Sequence, residues 1–357
     1  MNEKIARMMR LDSHPTLDLK VFSSIDDIES RVWDELGAGQ AFQSYRWYAY
    51  AERVLAKNSR PFYILVFENR ILVGRAAFYL SPSESLPIQS RFLRGFAGVV
   101  FRRWPLFICR SPFSGLSGLV LSDTANPDLL LVEICAACLK QARSWKASFA
   151  FYDFVEQAHI GQWPPSFRPL MLNDPGMLLQ ISWPDFESYL ASLGKDERYH
   201  YRRAQRKAQE AGIVVERHER VMDADEALAL IRNVERKFAS TPAPWTRAML
   251  ENLALVDATW LTASLGGRLV GCGLTLRDRD AQLHTALGLR DNTPYVYFSL
   301  LYESLKIAFE CGARQVRLGS GAYDVKRRLG AQVEKNNNVL ATSPYSVLQK
   351  ILTRISK

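Results

Sequence analysis

Apolar residues recur every three to four positions across Ile25–Leu36 and Ser44–Ala56, the spacing of amphipathic helices, and Ser44 offers a side-chain oxygen to cap the second. The period then changes. Phe62–Phe67 and Ile71–Leu80 are apolar runs of strand length around Glu68-Asn69-Arg70, which predicts a hairpin. Phe107–Ile108 and Leu116–Leu121 predict short strands, Pro127–Ala147 a helix, and Ser148–Val155 a further strand.

The stretch Gln162–Gly176, QWPPSFRPLMLNDPG, holds four prolines and reads as a boundary between domains. Beyond it the same order returns. Phe186–Leu193, Arg198–Gly212, Ala224–Phe238 and Trp245–Val256 predict helices. Thr259–Leu265 and Leu269–Arg277 predict strands around Gly266-Gly267, Gln282–Leu289 another strand, Tyr297–Cys311 a helix closed by Gly312, and Gln315–Leu318 a strand. Two halves with one order predict a duplicated α/β unit. The expected division is residues 1–165, residues 177–345 and a last helix at 346–357. Phe67–Gly74 and Leu265–Gly271 show the likeness best, each reading strand, polar turn, arginine, apolar residues, glycine.

With 357 residues, 48% of them hydrophobic, the chain can bury sizeable cores, and wholesale disorder is excluded. No apolar run approaches the roughly 18–20 residues that span a bilayer, and no secretory leader is evident, so a soluble cytoplasmic monomer is expected. Five scattered cysteines fit a reducing compartment. Cys135 and Cys138 form a C-x-x-C inside a helical stretch with no second pair, which predicts core packing and no metal site. Lysine plus arginine exceed aspartate plus glutamate, 46 to 37, and the excess invites an anionic partner.

Three stretches in order carry a family resemblance: Leu190–Gly212 (LASLGKDERYHYRRAQRKAQEAG), Gly267–Leu276 (GRLVGCGLTL), and Tyr297–Gly330, which ends in GSGAYDVKRRLG. The second half resembles the tandem-GNAT N-acyltransferases, a set that includes the Fem-type aminoacyl-tRNA-dependent transferases. The first half shares the likeness more loosely, through FQSYRWYAYAE and the Arg70–Gly74 turn. The resemblance implies an α/β (α+β) fold of two GNAT-like domains, each a mixed, mostly antiparallel sheet flanked by helices, with the active site in the second and a degenerate first. It also implies transfer of an acyl or aminoacyl group from a carrier to a small-molecule amine. No tightly bound cofactor is expected, and the donor is a cosubstrate: aminoacyl-tRNA, acyl carrier protein or acyl-CoA. The glycine-rich loop that cradles the coenzyme A pyrophosphate in such enzymes falls on Leu289–Phe298, LRDNTPYVYF, which has no glycine. Arg94-Gly95-Phe96-Ala97-Gly98 is a poor substitute. The missing glycines favour a bulky anionic carrier over free acyl-CoA.

The candidate chemistry follows. On a helix, Arg198, Arg202 and Arg206 succeed each other at i+4 and form a cationic ridge, with Arg203 and Lys207 beside it; such a ridge suits polyphosphate or an RNA backbone. Tyr199 and Tyr201 add faces for stacking. In the Fem-type relatives a lysine in an x-K-x-x-x-G context lies over the reacting carbonyl, and Val325–Gly330 matches that context. This implies that Lys326, in a loop where the sheet splays, stabilises the developing oxyanion. Asp324 could accept the amine proton and Tyr323 orient it if the segment is extended; His284 is the other base candidate. The alternative is a non-catalytic GNAT-like protein that binds RNA or an anionic surface through the basic helix. The amphipathic Ser346–Lys357 is expected to dock on its own domain, with a basic face that could also meet an acidic membrane.

Overall fold

A computed structural model describes residues 17–82, 99–171 and 174–355. The segment Arg94–Gly98 therefore lies outside the described residues. Two mixed sheets, each flanked by helices, build the molecule.

In the first sheet β1 (Leu17–Phe22), β2 (Arg60–Glu68), β3 (Ile71–Ser81), β4 (Leu106–Cys109) and β6 (Phe149–Val155) lie in that order, and β5 (Leu119–Leu121) also pairs with β3. Helices α1 (Ser30–Glu35), α2 (Tyr45–Leu55) and α3 (Pro127–Ser144) accompany them. In the second, β9 (Ile213–His218), β10 (Asp257–Leu265), β11 (Arg268–Asp278), β12 (Ala281–Leu289), β13 (Gln315–Gly319), β8 (Met177–Gln180) and β14 (Gln332–Val333) follow one another across the sheet. Its helices are α4 (Phe186–Ser192), α5 (Lys195–Glu210), α6 (Ala224–Lys237), α7 (Thr246–Glu251), α8 (Val296–Glu310) and α9 (Tyr323–Arg328).

The duplication read from the sequence is visible in the geometry. Both central hairpins close with two-residue turns, Glu68 pairing Ile71 and Leu265 pairing Arg268. All four turn residues, Asn69, Arg70, Gly266 and Gly267, take positive φ. Such turns match the right-handed twist of the strands they join. Each sheet has one parallel pair, β4 with β6 and β12 with β13, reached through the long helix α3 or α8.

One boundary needs correction. β7 (Arg168–Met171) and β15 (Asn338–Thr342) belong to the first sheet, with β15 between β6 and β7. The chain crosses to the second sheet between Met171 and Met177 and returns between Val333 and Asn338. Residues 338–345, expected in the second domain, thus complete the first. All five residues of β15 are buried, covering what would be the open edge of β6. Its length and the preceding asparagines hide it from a pattern search.

The two units share a continuous core. Trp47, Tyr50 and Val54 of α2 belong to one buried cluster with Met249 and Leu250 of α7 and Leu274 and Leu276 of β11. Polar anchors reinforce it, since the buried Asp278 carboxylate accepts from the Gln43 and Ser44 amides and from Ser44 Oγ. Cys135 and Cys138 pack in the first unit's own core, where burial pushes the Cys135 thiol up to about 12 and raises that of Cys138 well above its ordinary value. Neither carries a thiolate at neutral pH.

Candidate active site

The parallel pairing of β12 with β13 lasts for three residues on each strand, Ala281–Leu283 against Gln315–Arg317. The strands then part. A cavity of about 1070 Å³ fills the opening, lined by His284–Leu287 on one side and Leu318–Ala322 with Lys326 on the other. β12 is bent where it opens: Cys272 pairs Gly288 and Leu274 pairs Thr285, so Ala286 and Leu287 together face Gly273. Ala286 has φ 49°, a bulge that re-aims the strand at the cavity.

Lys326 sits on the six-residue helix α9 instead of a loop. The turn before it holds Gly319, Gly321 and Ala322 at positive φ, which brings the Gly319 and Ser320 carbonyls to the amine. Lys326 Nζ donates to them at 3.1 and 2.9 Å. An ammonium has three protons, so one remains for the cavity that the side chain lines. The residue is 5% exposed, and burial lowers its pKa to about 8. It is still charged at pH 7, close to its titration.

His284 lines the same cavity. Its Nε2 is buried with no hydrogen-bond partner among the described residues, and a Cβ on Gly273 would stand 3.3 Å from that atom. Burial first, and the Lys326 charge second, lower its pKa to about 4. At neutral pH the imidazole is uncharged and a weak base. We expect its NMR titration, assigned with His284→Gln, to centre near pH 4. Lys326→Met should raise that midpoint towards, but not to, the ordinary 6.5; an unmoved midpoint would show that the two groups do not sense each other.

Other expected residues lie elsewhere. Asp324 is exposed, pairs with Arg327 at 3.2 Å and does not line the cavity. The segment is helical where sharing a side with Lys326 required it to be extended. Tyr323 donates to the Pro175 carbonyl at 3.0 Å, fixing α9 to the connection between the units. No residue of α5 lines the cavity either. Arg198 turns back to the Leu193 and Ala191 carbonyls, while Arg206 and Lys207 both pair with Glu210. Arg202, Arg203 and Tyr199 are exposed. The helix is one layer removed: His200 packs edge-on against Phe298, ring centroids 4.6 Å apart, and Phe298 lines the cavity.

Sequence reading missed the aromatic wall. Phe238, Tyr295, Tyr297 and Phe298 line the cavity, with Phe238 69% exposed just past the end of α6. Unusually solvent-facing aromatics are a signal, but only burial reveals which aromatics they are. The loop before α8 reaches left-handed geometry without glycine, Asn292 having φ 58° and Tyr295 φ 71°. It is held by Asn233 Nδ2 on the Leu289 carbonyl at 2.8 Å and Thr293 Oγ1 on the Arg290 carbonyl at 2.6 Å. The Tyr295 side chain, at the start of α8, makes no capping hydrogen bond.

Comparison with known proteins places this geometry. Residues 195–327 match the family described as acetyltransferase (GNAT) domain. The crystal structure of FemX superposes with a TM-score of 0.64 at 12% identity, covering 95% of this chain and all of that one. A tandem GNAT protein from the clavulanic acid biosynthesis pathway gives 0.56 at 11% identity, covering 92% and 99%. The C-terminal domain of a putative lysylphosphatidylglycerol synthetase from Agrobacterium fabrum gives 0.52 at 10% identity, covering 93% and 97%. No curated protein matches the chain in sequence.

Proposed function

We propose that this tandem-GNAT acyltransferase forms an amide by moving an acyl or aminoacyl group from a large anionic carrier to an amine, with Lys326 as its oxyanion donor. The observation that carries the reading is the buried ammonium held by two carbonyls at the point where β12 and β13 part. The amine nitrogen attacks the ester or thioester carbonyl and the carbonyl oxygen gains charge. The remaining Lys326 N–H stabilises that charge in a site where water is displaced. As the tetrahedral intermediate collapses, the carrier leaves as its hydroxyl or thiol, and the attacking nitrogen loses its proton. His284, neutral and unpartnered, is placed to hydrogen-bond the reacting groups and is too weak a base to carry the proton away on its own.

The loop supports a carrier other than free acyl-CoA. Asn292 and Tyr295 occupy left-handed positions where glycines would let backbone amides approach a pyrophosphate, and the Tyr295 side chain lines the cavity instead. A carrier whose acyl end enters the cavity and whose body extends past Phe298 meets α5. Aminoacyl-tRNA and acyl carrier protein are both large and anionic enough.

Turnover assays with aminoacyl-tRNA, acyl carrier protein and acyl-CoA against a panel of amines test this. Charge reversal at Arg202 and Arg206 should raise KM for the true donor at least tenfold and leave the melting temperature within a few degrees, because exposed charges contribute little stability. With tRNA as donor, the slope of log affinity against log salt should flatten by roughly 0.7–0.9 per lost phosphate contact. Saturable turnover of acyl-CoA that ignores both substitutions would sink the large-carrier reading.

A further inference from the structure

Strands β4, β6, β15 and β7 share one end of the first sheet. Leu106 pairs Phe149 where β4 and β6 begin, and Thr342, the last residue of β15, pairs Ala150. Just beyond, Ser148 ties three segments together. Its amide and Oγ donate to the Pro105 and Trp104 carbonyls at 2.9 and 3.0 Å, and its own carbonyl accepts from Ser343 Oγ at 2.7 Å. Arg143, near the end of α3, donates to the Pro344 carbonyl at 2.8 Å. The helical residues 99–103, the end of α3 and the start of α10 (Ser346–Ile355) therefore emerge together.

Among the described residues this end carries positive charge. Arg102, Arg103, Arg143, Lys146, Lys350 and Arg354 are all exposed there. The described segments that meet there, 99–108, 138–152 and 338–355, contain no aspartate or glutamate. Large apolar side chains stand among the cations: Val99 is 63% exposed, Trp104 49%, Val347 67% and Ile351 45%. The last helix docks on the first unit, where Leu352 is 5% exposed and Gln349 bonds the Ser343 amide and the Ser166 carbonyl. Its other face is not covered. Val347, Lys350, Ile351 and Arg354 follow at i, i+3, i+4 and i+7, one stripe in which apolar and basic residues alternate.

We propose that this end of the first sheet is a docking surface for a bilayer rich in anionic lipid. A polyanion such as RNA would use the cations and could stack on Trp104, but would leave Val347 and Ile351 in water. A lipid interface takes both, the basic side chains meeting headgroup phosphates while the indole and aliphatic groups enter the headgroup boundary. Among the described residues no helix is long and apolar enough to cross a membrane, so the attachment is peripheral.

Co-sedimentation of the full chain with phosphatidylcholine vesicles, and with vesicles that also contain phosphatidylglycerol, tests the proposal. Binding is expected to the anionic vesicles only and to weaken with salt. Lys350→Glu with Arg354→Glu should lower partitioning by roughly 10²-fold. Val347→Ser with Ile351→Ser should lower it roughly tenfold with the charge unchanged. Circular dichroism melts check that the variants fold, and Trp104→Ser, on a separate segment, gives an independent reading if those in α10 melt early. Absence of binding to anionic vesicles, or binding that all these substitutions spare, overturns the proposal. So does heparin or RNA binding lost with the charge pair while the apolar pair changes nothing.

Discussion

Lys326→Ala should lower turnover by roughly 10²–10³ while donor binding and the fold stay nearly intact, because the charge that the ammonium meets exists mainly in the transition state. Lys326→Arg should restore only part of the loss. A planar guanidinium cannot place its donors as the ammonium does between the Gly319 and Ser320 carbonyls. The pH profile gives a second reading. With a pKa near 8, an oxyanion donor must be protonated, so turnover should fall as pH rises through about 8, and the residual activity of the alanine variant should lack that limb. Activity that instead rises through the same pH and loses its rise in the variant would make Lys326 the base. The lowered pKa has a thermodynamic face as well. Between about 8 and the ordinary 10.5 the unfolded chain holds a proton that the folded site has released, so wild-type stability should rise with pH across that window relative to Lys326→Met. The gain should approach about 3 kcal/mol, and chemical denaturation at pH 7.5 and pH 10 measures it.

Arg317→Met should destabilise the chain by roughly 3–5 kcal/mol, the largest loss expected from one substitution away from the cavity. Arg317 is the last residue of β13 that pairs with β12, and its guanidinium is buried against the Glu334 carboxylate at 2.6 Å, their side chains 6% and 8% exposed. The same group donates to the Ser114 and Gly115 carbonyls of the first unit at 2.6 and 2.9 Å, and Asn336 adds a bond to Gly115 at 2.9 Å. Removing the arginine leaves a buried carboxylate whose pKa burial already raises, strips the Ser114 carbonyl of this donor and leaves Gly115 the bond from Asn336. Arg317→Met with Glu334→Gln should therefore recover much of the loss, since no uncompensated charge remains. Equal destabilisation in the single and double variants would show that the bonds to the first unit, and not the ion pair, carry the effect.

Much of this protein is legible in the chain. Repeated strand length around Asn69-Arg70 and Gly266-Gly267 reports the two hairpins, since period and turn chemistry are local properties. The long helices after the hairpins read correctly for the same reason, α3 starting at Asn126, whose side chain caps its first amides. The likeness to tandem-GNAT proteins was legible in the ordered stretches of the second half, and the match to the acetyltransferase (GNAT) domain falls on residues 195–327. Lys326 and His284 could be nominated from their local sequence. That they line one cavity is decided by where β12 and β13 part, a property of two strands whose paired residues lie 34 positions apart. The ridge on α5 had the right spacing, but i+4 periodicity says nothing of what the helix packs against. Only the tertiary contacts fold Arg198 back on its own chain and set the helix behind Phe298. Asp324 left the candidate group because six residues coil into a helix that turns neighbours outward. The return of β15 to the first sheet is the clearest limit. Asn338–Thr342 has little pattern of its own, and its place is set by an open edge on β6 that exists only once the sheet has formed.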